Sequence, residues 1–119
     1  MIRRHTISFV HAVEGLWYAA RTQPNFIIHI LISLIVIGAG RWLSLASWEW
    51  GVIIVTITGG LVIELINTSI ESVVDLATSR IHPLAKIAKD CASAAMLIYA
   101  MGAIIVGGLI FIPKLWPYF

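Results

Sequence analysis

A chain of 119 residues that is 60% hydrophobic and only 12% charged is too apolar for a soluble domain of its size. A formal charge of +2, with no basic stripe interleaved with aromatics, excludes a nucleic-acid binder. The lone Cys91 excludes an internal disulfide and reads as a small packing residue.

What remains is one integral-membrane domain over residues 1–119. It has no internal repeat. No cleavable signal peptide is expected either, because no apolar stretch directly follows Arg3 and Arg4. Residues 5–22 read as an amphipathic helix. Phe9, Val10, Val13, Leu16, Trp17 and Ala20 share one side, and Ser8, His11, Glu14, Tyr18 and Arg21 the other. Such a helix is expected to lie in the membrane interface. Thr22 to Asn25 is a break, with Pro24 suited to starting the next helix.

The first membrane helix is expected over 25–46, uncharged from Phe26 to Gly40, with Arg41 snorkelling to the interface. Trp42, Trp48 and Trp50 surround the next turn as an aromatic belt, with Glu49 among them. The second helix is expected over 48–77. Its first part, Trp50 to Ile63, holds no charge. Three acids and an asparagine then arrive within twelve positions: Glu64, Asn67, Glu71 and Asp75. At about 100° per residue they fall near 0°, −60°, −20° and +20°, on one stripe. Acids on one stripe of a membrane helix are costly and imply a function.

A loop from Thr78 leads to Pro83, which opens the third helix, expected over 83–113. Cys91 to Ile112 carries no charge, and small residues from Ala92 to Gly102 allow close helix approach. Trp116, Tyr118 and Phe119 form a second aromatic patch. The basic residues set the expected orientation. Arg3, Arg4, Arg21, Arg80, Lys86 and Lys89 lie at one membrane face, Arg41 and Lys114 at the other. The N-terminus and the acidic stripe are therefore expected on the cytoplasmic side of a cell membrane. His5, His11 and His29 lack metal-ligand spacing and read as interfacial or packing residues.

Carboxylates, an amide and a lysine at a membrane face suit phosphoryl transfer. That reaction needs a hard cation on oxygen ligands, a positive group on phosphate and a base for the attacking hydroxyl. Neither standard glycine-rich nucleotide cradle is present. On spacing alone, a buried polar network holding the helices together is the better reading.

Glu64-Leu65-Ile66-Asn67-Thr68-Ser69-Ile70-Glu71-Ser72-Val73-Val74-Asp75 resembles the signature of the prokaryotic diacylglycerol kinase family of small membrane lipid kinases. Ala88-Lys89-Asp90-Cys91-Ala92-Ser93-Ala94-Ala95 resembles its second block. The resemblance covers nearly the whole chain. It implies an all-α homotrimeric bundle, with a surface helix and three membrane helices per protomer. It also implies MgATP-dependent phosphorylation of a lipid alcohol in sites shared between protomers. By motif position, Glu64 is the general base, and Glu71 binds Mg²⁺ and, with Asn67, the nucleotide. Lys89 and Asp90 contact the nucleotide, His82 stands nearby, and Asp75 supports the site.

Where the family places an acidic metal ligand, this chain has Gln23, which offers a carbonyl oxygen but no charge. Asn25-Phe26-Ile27-Ile28-His29 and His82-Pro83-Leu84-Ala85-Lys86 resemble the Gram-positive branch, which phosphorylates undecaprenol. Two alternatives stay open: a diacylglycerol kinase making phosphatidic acid, and a non-catalytic membrane bundle related to the family.

Overall fold

The computed structural model describes residues 2–119, with side chains from Ile7 onward, so those of Arg3, Arg4 and His5 lie outside the described residues. Four helices follow in order: α1 (Ile2–Thr22), α2 (Pro24–Trp42), α3 (Ser47–Ala77) and α4 (Pro83–Leu115). A 3₁₀ turn over Trp116–Tyr118 ends the chain. The helices α2 and α3 and the continuous stretch Pro83–Tyr118 are each long and apolar enough to cross a membrane.

The break between α1 and α2 is a single residue. Gln23 takes extended angles, φ −106° and ψ 104°, and Pro24 starts α2 where its missing N–H costs nothing. Helix α2 ends at Trp42, four residues before the expected limit of 46. The stop is made by the backbone. Ser44 adopts a left-handed φ of 52°. The Leu45 N–H then reaches the Gly40 carbonyl (3.1 Å) and the Ser44 N–H reaches that of Arg41 (3.3 Å). These are the two bonds of a Schellman turn, which binds carbonyls the helix would leave orphaned. Leu45 folds back into the core.

Helix α3 has 31 residues, or about 46 Å at 1.5 Å per residue, against a hydrocarbon core of about 30 Å. Its last turns therefore leave the apolar zone, which is why acids are tolerated there. Helix α4 packs against α3 through Tyr99. The ring lies on the Gly59–Gly60 pair, and its hydroxyl donates to the Thr56 carbonyl. A Cβ would come within 2.8 Å of Tyr99 at Gly59 and 3.0 Å at Gly60, so the two glycines allow a closer approach than any larger residue would without a shift of the ring.

The packed core sits at the end of the bundle away from the acidic stripe. Leu45, Ile53 and Ile110 are buried there, backed by Val36, Trp50 and Phe111. Most other large apolar side chains, such as Leu34, Ile35, Val55 and Ile98, are exposed on the flanks. That is the surface expected of a membrane bundle with lipid or further copies around it.

Candidate active site

Helix α3 supplies the centre of the site because its polar stripe is the face it cannot offer to hydrocarbon. Glu64 is only 1% exposed, the most deeply buried of the large side chains described. Its Oε2 has no hydrogen-bond partner. Asn67, one turn on, is also buried. Its amide donates to Glu71 Oε1 (3.3 Å), while its Oδ1 is left without a partner. Two orphaned acceptors one turn apart are an expensive arrangement in a buried site. They ask for a hydroxyl, an ammonium group or a cation.

These residues line a cleft of about 290 Å³. Helix α2 contributes Asn25 and His29, and α4 contributes Ser93, Met96 and Ala100. Asn25 and His29 are four apart on α2, and Ser93 and Ala100 seven apart on α4, so each pair shares one helical face. Sequence reading missed Asn25 and Ser93 as site residues and took His29 for packing. The available signal was a polar i, i+4 pair at the start of an otherwise uncharged span.

A second cleft of about 580 Å³ lies further along α3, walled by the loop to α4. Asp75, His82, Lys86, Lys89 and Asp90 line it. Lys89 Nζ holds Asp75 Oδ1 at 2.6 Å, bridging α3 and α4. Lys86 pairs with Asp90 along α4. His82 caps α4, its Nδ1 accepting from the Leu84 N–H at 3.2 Å. The expected residues thus divide between two clefts. Glu64, Asn67 and Glu71 meet in the first, and His82, Lys89, Asp90 and Asp75 in the second. Glu71 and Asp75 are one helical turn apart, so the two clefts follow one another along the same stripe.

Gln23 lines neither cleft. Its amide donates to Thr22 Oγ1 at 3.2 Å, at the junction of α1 and α2. Among the described residues, no group of three or more His, Cys, Asp or Glu side chains is arranged to hold a metal ion. The oxygen donors of the first cleft nonetheless suit a magnesium ion arriving with a nucleotide. Such an ion takes one or two carboxylates from the protein and the rest of its shell from phosphate and water. Glu71 and the orphaned Asn67 Oδ1 are donors of that type.

The family model for prokaryotic diacylglycerol kinase matches residues 10–111. The undecaprenol kinase of Bacillus subtilis is 45% identical over 114 residues, covering 96% of this chain and 93% of that protein. A diacylglycerol kinase of Synechocystis is 44% identical over 110 residues, 92% of this chain; the match spans only 63% of that longer protein. A diacylglycerol kinase of Helicobacter pylori is 38% identical over 106 residues, covering 89% and 76% of the two chains. With both clefts inside the matched region, the chain belongs to the prokaryotic diacylglycerol kinase family of lipid kinases.

Proposed function

We propose that the protein transfers the γ-phosphate of ATP to the hydroxyl of undecaprenol at the cytoplasmic face of a bacterial cell membrane. The observation that carries this reading is the buried, partnerless carboxylate oxygen of Glu64, in a cleft that also holds Asn67 and Glu71. A lipid alcohol entering from the bilayer would present its hydroxyl to that oxygen. Glu64 accepts the hydroxyl proton as the alcohol oxygen bonds to the γ-phosphorus. The bond from that phosphorus to the β–γ bridging oxygen breaks, and ADP leaves with that oxygen.

Lys89 is the cation for the phosphates. To reach them it exchanges Asp75 for a phosphate oxygen, which keeps the lysine oriented before the nucleotide arrives. Asp90 and His82 complete the nucleotide cleft from the start of α4. Glu71 and Asn67 would hold Mg²⁺, which when bound neutralises charge on the phosphates. Gln23 stands apart from these donors within a single protomer. Gln23→Glu adds a charge there, and a tighter apparent Mg²⁺ affinity would bring that position into the metal site; an unchanged Mg²⁺ titration would remove it.

The exposed apolar flanks support assembly into a homotrimer with shared sites, and the exposed Phe9, Val13, Leu16 and Trp17 support α1 lying on the membrane. Undecaprenol is favoured over diacylglycerol by the Asn25–His29 and His82–Lys86 segments and by the name of the Bacillus relative. The deciding experiment offers labelled MgATP with undecaprenol and with diacylglycerol side by side in bilayers. Preferred labelling of undecaprenol is expected. Preferred labelling of diacylglycerol would keep the mechanism and replace the substrate. No labelling by a folded trimer would overturn the kinase reading.

A further inference from the structure

We infer that the hydrocarbon chain next to the reacting hydroxyl is received singly in an apolar, groove-like chamber of each protomer, open along its side and closed at its far end. This inference rests on the lipid-kinase reading and names the part of the substrate that the protein grips within the membrane. The chamber holds about 370 Å³ between α2, α3 and α4. It adjoins the reaction cleft, and His29 and Ala100 line both. From that junction it runs along α4 from Ala100 to Phe111, about 16 Å at 1.5 Å per residue. Its far end meets the packed core at Val36, Ile53 and Phe111, so it is closed there.

Small residues create the space: Ser33 on α2, Gly60 on α3, and Ala100, Ala103 and Gly107 on α4. The three on α4 fall on one helical stripe, which makes a groove in single file. The hydroxyls on the wall are already engaged. Ser33 donates to the His29 carbonyl (2.7 Å), Thr56 to that of Val52 (2.8 Å), and Tyr99 to that of Thr56. Beyond His29 these hydroxyls therefore have no free donor to offer, and the rest of the wall is apolar. Its surface suits hydrocarbon, and an unfilled apolar space of this size forfeits packing. A groove one chain wide favours an alcohol on a single chain, such as a polyprenol, over a glyceride with two chains leaving the same headgroup.

Gly107 provides a clean probe, since a Cβ built there meets nothing within 4 Å although the residue lines the chamber. Gly107→Leu should project its side chain into the far half. Gly102→Leu, on the same helix but outside the chamber and equally unobstructed, is the control. Initial rates are measured against mole fraction in bilayers for geraniol, farnesol, geranylgeraniol and undecaprenol. Gly107→Leu should raise KM for the longer alcohols by about tenfold, in line with lost burial of about two methylenes, and leave geraniol and kcat unchanged. Gly102→Leu should match the unsubstituted protein throughout. An equal KM for all chain lengths in the Gly107 variant would overturn the inference.

A second measurement uses the unsubstituted protein and needs no variant to fold. A polyprenol analogue carrying a diazirine on its third isoprene unit is first shown to be phosphorylated, then irradiated. Label on Ile53, Ile57 or Phe111, which line the chamber and are buried or half-buried, supports it. Label confined to the outward-facing Met101, Ile105 or Leu109, with phosphorylation intact, overturns it and leaves the space to a side chain of a neighbouring copy. An analogue that is not phosphorylated at all would instead count against the kinase reading.

Discussion

Two glutamates are buried on α3, and they differ in what surrounds them. Glu49 is 7% exposed and held by two partners. Its Oε2 accepts from the Ala46 N–H at 2.6 Å, closing the first turn of the helix, and meets Lys114 Nζ at 2.9 Å. Glu64, fifteen residues on and more deeply buried, has an oxygen with no partner. A buried carboxylate with a helix N-terminus and a lysine beside it is a fastening. It ties the start of α3 to the end of α4, where Pro113 and the Trp42–Tyr118 ring contact (centroids 5.5 Å apart) also gather. A buried carboxylate left unsatisfied contributes nothing to holding the bundle and waits for a ligand. The two ends of one helix thus separate structure from chemistry.

The sharpest way to break this comparison is to neutralise each acid in turn. Glu64→Gln should lower kcat by roughly 10²- to 10⁴-fold with folding and nucleotide affinity intact, as expected on losing a general base. Glu49→Gln should leave kcat within about twofold, because no reacting group touches it, and lower the melting temperature instead. If the Glu64 variant kept full turnover, or the Glu49 variant lost it, the division of roles would be wrong.

Lys114→Met tests the fastening from its other side. Removing one partner strands a buried charge, which costs about 3–5 kcal/mol where both groups are fully enclosed. Lys114 keeps 26% of its side chain exposed, so a smaller loss of bundle stability is expected, measured by unfolding in mixed micelles. No change in the unfolding midpoint would make the ion pair incidental.

Asp75→Asn sharpens the chemical end. Lys89 loses the carboxylate that holds it at 2.6 Å but keeps its own charge. A severalfold rise in KM for ATP with kcat nearly unchanged is expected, since the pair is half exposed and worth about 1 kcal/mol or less. An effect on kcat alone would instead place Asp75 on the reacting groups. The smallest effect is expected at Ser44, the residue with φ of 52°. Ser44→Gly relieves left-handed strain but loosens the unfolded chain, so the gain should be below about 1 kcal/mol. A loss of stability would show that the serine side chain matters there.

Much of this was legible in the sequence because it depends on periodicity. An uncharged run of spanning length must form a helix in lipid, since every backbone group needs an internal partner. A polar stripe recurring every three to four residues then selects one face. That is enough to find the helices and to bring Glu64, Asn67 and Glu71 together. The end of α2 was not legible, because Ser44 gives no hint that it will adopt the conformation usually left to glycine. Nor was the Glu49–Lys114 pair, whose members are far apart in the sequence and each look like ordinary interfacial charges.

The sequence by itself determined a membrane bundle, its helices and the acidic stripe, because these follow from hydrophobicity and from helical spacing within one segment. Only the tertiary structure decided which acid is satisfied and which is not. It also decided that Asn25, His29 and Ser93 join the cleft, and that small residues on three helices leave a chamber beside it. The physical reason is that burial and partnering are properties of contacts between helices. The crossing of α3 and α4, fixed by Tyr99 against Gly59 and Gly60, sets those contacts.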